Sequence, residues 1–188
     1  MSPIVLRPVI IAWICLEIGL AIHNGIARRG AAVRDRGSKL CIIVAIAAGL
    51  VLAFRLRAAE GARIAPPNVW PVYAAGLFLV AGLVIRVVAV ATLRNFFTTT
   101  VTVSAGQKLI RSGPYAHIRH PAYLGSILIF AGIGFSFNNW LSLLALLACV
   151  VPAFLYRIGV EERALAARFG DEYAVYARKT KRLLPGIY

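Results

Sequence analysis

Acidic residues are scarce in this chain. Seven Asp and Glu stand against 21 Lys and Arg among 188 residues, a formal net charge of +14. In a soluble protein that imbalance would point to nucleic acid. Here no basic groove interleaved with aromatics is visible, so nucleic acid is not an expected partner. Cysteine is also sparse: Cys15, Cys41 and Cys149 each stand alone inside an apolar segment. None has metal-ligand spacing, and such cysteines serve as small hydrophobes, so no structural disulfide is expected. Of the three histidines, His117 and His120 have helix-like spacing. No Cys, Asp or third His follows at a suitable interval, which argues against a metal site. A Ser-His-acid grouping is missing. So is a G-x-G-x-x-G after a strand, and Gly132-x-Gly134 lies inside an apolar run, which excludes a Rossmann cofactor domain. The first apolar run has only Arg7 ahead of it and no small-x-small cleavage signal before a soluble domain. It is expected to be a retained helix.

What the chain has in quantity is long apolar runs. It is 60% hydrophobic, and its mean hydropathy is +0.78. The runs are continuous rather than amphipathic, the pattern of helices embedded in lipid. They predict spans over 4–26, 40–54, 69–93, 122–135 and 140–156. The second is short, and snorkelling by Arg55 and Arg57 or local thinning of the bilayer would compensate. The expected fold is an all-α integral membrane protein. It has about five transmembrane helices, a C-terminal helical hairpin and short cytosolic tail helices. The chain reads as one membrane domain over 1–188. Three N-terminal spans fill 1–93; a connector, the hairpin and the tail fill 94–188.

Charge orients this map. The loop 27–39 carries five Lys and Arg, 93–120 carries four and 157–188 carries seven. The opposite side carries Arg7, Arg55, Arg57 and Arg63. An excess of Lys and Arg marks the cytoplasmic side, so the N-terminus is predicted outside and the C-terminus in the cytosol. The same basic loops suit contact with anionic membrane lipids. Within the spans, Glu17, His23 and Arg86 are exceptions. An ionisable group is costly in lipid, so Glu17 and His23 are expected to face other helices, or His23 to reach the interface; Arg86 is expected either to be paired, with Glu17 the candidate partner, or to line a polar cavity.

Turn residues and charges concentrate in two stretches. Arg111 to Gly125 holds two histidines and two arginines just before an apolar run begins. Pro121 suits a first helical turn, where its missing N–H costs nothing. The second stretch starts at Arg157, where a charged tail helix is expected to begin and run to about Phe169. Gly170 is expected to break it, and Asp171 to cap a short helix through about Lys179. If the last two spans form a hairpin, both clusters reach one membrane face. Arg157 and Glu161 are spaced i, i+4, with Glu162 adjacent. Spacing alone fits a solvated salt bridge of little energetic weight as well as a polar wall for a cofactor and an anionic substrate.

The ordered elements Gly113-Pro114-Tyr115, Arg119-His120-Pro121-Ala122-Tyr123-Leu124-Gly125, Arg157, Glu161-Glu162 and Phe169-Gly170-Asp171-Glu172-Tyr173, followed by Pro185, resemble the isoprenylcysteine carboxyl methyltransferase family. That family shares a wider group with the phospholipid N-methyltransferases. The resemblance covers roughly the C-terminal half; the N-terminal half matches only in being transmembrane helix.

The resemblance implies an integral-membrane methyltransferase that uses S-adenosylmethionine, with a pocket built from the last helical hairpin and the cytosolic connectors. Carried over by position, the cofactor contacts are Gln107, Lys108, Leu109, Ile110, Tyr115, His120, Pro121, Ala122, Tyr123, Glu161 and Glu162. Arg157 falls on the acceptor side, and Arg157 and Glu161 are the expected catalytic pair. The implied acceptor is lipophilic, enters sideways from the bilayer and carries a carboxylate of isoprenylcysteine type. A phospholipid-type amine is the alternative. Two readings of other classes also stand: an NADPH-dependent membrane reductase, because sterol reductases carry a similar R-H-P element, and a non-catalytic membrane scaffold. The expected location is a bacterial inner membrane.

Overall fold

A computed structural model describes residues 7–26, 37–65, 70–93 and 109–184. Among the described residues six α-helices follow in order: α1 (Arg7–Ile26), α2 (Ser38–Leu56), α3 (Trp70–Leu93), α4 (Pro121–Ser136), α5 (Trp140–Phe169) and α6 (Asp171–Lys179). Short 3-10 turns lie at Glu60–Ala62 and Gly113–Ala116. Among the described residues, β structure is limited to two single-pair bridges, Arg63 with Asn139 and Ile118 with Lys181. The expected all-helical class is what the chain forms. α2, α3 and α5 are long and apolar enough to cross a membrane, and α4 is a shorter apolar helix. Most of the basic loop 27–39, residues 66–69 and most of the connector, 94–108, together with the side chain of His23, lie outside the described residues.

Two boundaries differ from expectation. α5 does not end at Tyr156; it continues unbroken to Phe169. The sequence changes polarity at Arg157, but no breaker stands there, and Arg, Glu and Ala are good helix formers. The separate tail helix expected at 157 is therefore the second half of α5. Asp171 does not cap α6 either. Gly170, at φ 51°, takes that position, and Asp171 and Glu172 occupy the first turn, where the helix dipole favours acids.

The helices pack as two tight pairs, α3 along α4 and α2 along α5, with α4 also against α5. The α3–α4 seam depends on glycine. A Cβ on Gly82 would stand 2.6 Å from the Gly125 carbonyl oxygen, and one on Gly125 would stand 2.7 Å from that of Gly82. Small residues at such a crossing let two backbones touch, as is common inside bilayers. Between the pairs, Phe130, Leu146, Val150 and Phe154 form a buried core with Ala53. Trp13 of α1 meets Phe130 edge to face at 5.4 Å. Outward-facing Ile11, Leu40, Val51, Leu77 and Leu144 are exposed, as expected of surface that meets lipid tails.

The expected Glu17–Arg86 pair forms. Arg86 donates through Nε to Glu17 and through Nη2 to Glu17 Oε2 at 2.8 Å. Its Nη1 donates to the Ala122 carbonyl at 3.0 Å. A charge buried in α3 is thus tied both to α1 and to the first turn of α4, where the motif residues lie.

Candidate active site

The site begins where the chain emerges from the connector. Gln107 and Lys108 lie outside the described residues; Leu109 and Ile110 belong to no regular element and are half-buried. Gly113, at φ 58°, starts the Gly113–Ala116 turn. That turn buries Tyr115 against Ala89 and Ala122. Burial, then the nearby Glu161 charge, pushes the Tyr115 phenol well above its ordinary pKa, so it stays neutral.

Pro121 opens α4 as expected, and His120 is its N-cap residue. The His120 carbonyl accepts from the N–H groups of Tyr123 and Leu124, both at 3.1 Å. Its own N–H donates to the Arg182 carbonyl at 3.0 Å, so the C-terminal segment fixes the turn. The ring is buried, with Nε2 3.4 Å from Glu162 Oε1 and Nδ1 3.9 Å from Glu161 Oε2.

The two adjacent acids stand in different surroundings. Glu162 is mostly buried and held from three directions. Arg119 Nε donates to its Oε1 at 2.8 Å, Arg182 Nε donates to its Oε2 at 2.9 Å, and the His120 ring adjoins it. Arg119 also donates through Nη1 to the carbonyls of Ala177, at 2.8 Å, and Thr180. This network stitches α6 and the segment after it onto the 119–121 turn. Glu161 keeps about a third of its side chain exposed, at 34%.

Arg157 is buried one turn before Glu161. Its Nε donates to Tyr123 Oη at 3.0 Å, and its Nη1 donates to Ser38 Oγ at 2.9 Å. Tyr123 in turn packs on Phe154 at 5.6 Å and on the His120 ring at 5.7 Å. A guanidinium, an accessible carboxylate, an imidazole and a phenol therefore converge on one end of the bundle. They come from α5 and the α4 N-terminus, and Ser38 at the start of α2 holds the guanidinium.

α6 covers this end. Tyr176 Oη donates to the Tyr115 carbonyl at 2.7 Å, and Arg111 pairs with Glu172 at 2.6 Å. Burial is the main cause that pushes the Tyr176 phenol up to about 12. Burial also raises Tyr173, and the Glu162 charge beside its enclosed hydroxyl further opposes its ionisation.

The structure thus brings Tyr115, His120, Tyr123, Arg157, Glu161 and Glu162 together, with Pro121 and Ala122 as the turn that holds them. Three contributors were not among the expected site residues: Ser38 on Arg157, Arg86 on the Ala122 carbonyl, and Arg182 on Glu162. Arg119 stood in the motif without a role and proves to be the link between turn and tail. Ser38 and Arg182 carried no local signal. Only the packing of distant segments puts them there.

Comparison with known proteins bears on family and fold. Residues 74–167 match the model of the isoprenylcysteine carboxyl methyltransferase (ICMT) family. A probable protein-S-isoprenylcysteine O-methyltransferase of Oryza sativa subsp. indica is 37% identical over 121 residues, covering 63% of each chain. The cobalt-zinc-cadmium resistance protein CzcN of Cupriavidus metallidurans is 38% identical over 81 residues, which is 42% of this chain and 36% of that protein. The solved structure of the eukaryotic intramembrane Ras methyltransferase ICMT superposes with a TM-score of 0.65 at 25% identity. That match covers 77% of this chain and 52% of the other. The chain therefore spans less than two thirds of the length of each of these relatives. The membrane-length helices and the shared architecture make it an integral membrane protein. Half of its length fits a single family model, and that half contains the 119–125 turn, Arg157 and the paired acids: the chain belongs to the isoprenylcysteine carboxyl methyltransferase family.

Proposed function

We propose that this protein transfers a methyl group from S-adenosylmethionine to a lipophilic acceptor bearing a carboxylate of isoprenylcysteine type. The observation that carries this reading is the meeting of Arg157 and Glu161, one turn apart on α5, with His120 and Tyr123 of the α4 N-terminus. The donor set suits S-adenosylmethionine. A partly exposed carboxylate matches an ammonium or ribose hydroxyls, and tyrosine faces suit a cationic sulfur. When bound, S-adenosylmethionine supplies a methyl group already activated on a sulfonium.

The remaining work falls to alignment and exclusion of water. Glu161 holds the donor and His120 orients the turn beside it. Arg157 directs its guanidinium at the acceptor carboxylate, with Tyr123 and Ser38 fixing its geometry. A carboxylate is already ionised near neutral pH, so the reaction needs no general base. Glu162, engaged by Arg119, Arg182 and His120, supports the pocket from behind. The pocket belongs to 94–188, including Gln107 to Ile110, with Ser38 added from the N-terminal half. The acceptor reaches Arg157 from the bilayer. The wider reading is five spans in a bacterial inner membrane, N-terminus outside and C-terminus cytosolic.

Calorimetry with S-adenosylmethionine tests the donor side. Glu161→Gln is expected to weaken binding roughly ten- to a hundredfold, the scale of one lost charge-assisted hydrogen bond. His120→Ala should weaken it less. Unchanged affinity in both variants overturns the assignment. A labelled-methyl assay on lipid extracts, with the product identified by mass spectrometry, tests the acceptor. Arg157→Lys should keep donor affinity and lose most transfer, and an N-methylated product would overturn the carboxylate reading.

A further inference from the structure

The opposite end of the bundle carries a second polar site. A cleft of about 490 Å³ opens between the loop after α2 and the α4–α5 turn. Arg57, Glu60 and Arg63 line one side, and Phe137, Asn138 and Asn139 line the other. Its walls are fixed to each other. Asn139 Nδ2 donates to the Ala59 carbonyl at 3.0 Å, and Asn138 Nδ2 donates to that of Ala65 at 3.1 Å. The Ala65 N–H returns a bond to Asn138 Oδ1 at 3.3 Å, and the Ile64 N–H donates to the Asn138 carbonyl at 3.2 Å. Asn139 also caps α5, so the turn cannot shift independently of the helix.

Charge in this cleft is not internally neutralised. Among the described residues neither Arg63 nor Glu60 is in an ion pair, and Arg57 only stacks on Phe54, at 3.9 Å. Two guanidiniums and one carboxylate therefore face a preformed space. The aromatic belt gives the depth: Trp70, Tyr73 and Trp140 are exposed at this same end of α3 and α5. Exposed Trp and Tyr at helix ends mark the headgroup level of a bilayer.

We infer that this cleft binds the headgroup of a phospholipid that carries both a phosphate and a primary ammonium. Arg57 and Arg63 take the phosphate, for which guanidinium forks are suited, and Glu60 takes the ammonium. The site is separate from the methyl-transfer pocket and holds or fails independently of it.

Native mass spectrometry of the detergent-purified protein tests the inference with added phosphatidylethanolamine, phosphatidylglycerol and phosphatidylcholine, and with soluble glycerophosphoethanolamine. Phosphatidylethanolamine should be retained over the other two lipids. The Arg57→Gln, Arg63→Gln double variant should lose that retention by about tenfold or more in apparent Kd. Glu60→Gln, a milder change, should keep phosphate binding while the three lipids become equivalent. Donor binding at the other end should be unchanged in both. Retention of phosphatidylethanolamine by the double variant as in the wild type overturns the site. A Glu60→Gln protein with unchanged selectivity overturns the ammonium assignment. Competition by the soluble headgroup as strong as by the lipid would reassign the cleft to a free phosphate ester.

Discussion

Arg86 makes three hydrogen bonds from inside an apolar helix, two to Glu17 and one to the Ala122 carbonyl. Removing one member of such a pair leaves a charge without its partner in a medium that solvates it poorly. Glu17→Ala should therefore destabilise the protein by about 3–5 kcal/mol, whereas Glu17→Leu with Arg86→Met should be much closer to wild type. Thermal midpoints in one detergent compare them; a double variant as unstable as the sum of the singles would show that the pair is not coupled. The third bond gives a second readout. The double variant keeps its fold but loses the bond that holds the Ala122 carbonyl, so its donor affinity should fall. At this scale the sequence was informative where a residue violated its surroundings. Glu17 and Arg86 stood out because they interrupt apolar runs. Arg157 and Glu161 stood out differently, as charges one helical turn apart directly after an apolar run. Ser38 gave no such sign, because a serine opening a helix is ordinary; its role on Arg157 exists only because α2 packs along α5.

The elements follow mostly from local chemistry. Pro121 and Gly170 mark boundaries because the first lacks an N–H and the second adopts positive φ at little cost. Polarity misleads at Arg157, since a helix leaving a membrane changes its side chains without changing its backbone. α5 thus carries core residues such as Leu146 and Phe154 and candidate site residues such as Arg157 and Glu161 on one continuous helix. The α3–α4 seam sets where the other half of the site stands. Gly125→Val should push the Gly82 and Arg86 backbones away and cost about 1–3 kcal/mol, the usual scale of overpacking. Gly19→Ala in α1, where an added Cβ meets nothing within 4 Å, should be neutral or slightly stabilising. Equal midpoints for the two variants would mean the seam is looser than its geometry indicates.

Across the whole molecule, the two ends of the bundle divide the chemistry. One end gathers Arg157, Glu161 and His120 under α6; the other gathers Arg57, Glu60 and Arg63 beside exposed tryptophans. The excess of Lys and Arg predicts that the first end faces the cytosol, the orientation proposed above. In a variant with Cys15, Cys41 and Cys149 replaced, a cysteine at Gly61 should react with a membrane-impermeant maleimide added outside intact cells. One at Asp171 should react only after lysis. The reverse pattern would invert the orientation and place the proposed methyl-transfer pocket outside.

Composition and pattern alone determined that this chain is helical and embedded in a membrane, and they marked the 119–125 turn and the 157–162 cluster as its concentrations of turn residues and charge. Long apolar runs and misplaced charges are local facts, and lipid makes them decisive because it solvates neither bare peptide groups nor lone ions. Tertiary structure decided the rest. It chose Glu161 over Glu162 as the accessible acid, because Arg119 and Arg182 arrive from other segments to occupy the second. It recruited Ser38 and Arg86 from the N-terminal half, and it closed a second cleft from two loops nearly eighty residues apart, such as the Ala59–Asn139 contact with its separation of 80. Each of these depends on which helices lie side by side, and adjacency of that kind is set by the close fit of small and large side chains rather than by any residue read in isolation.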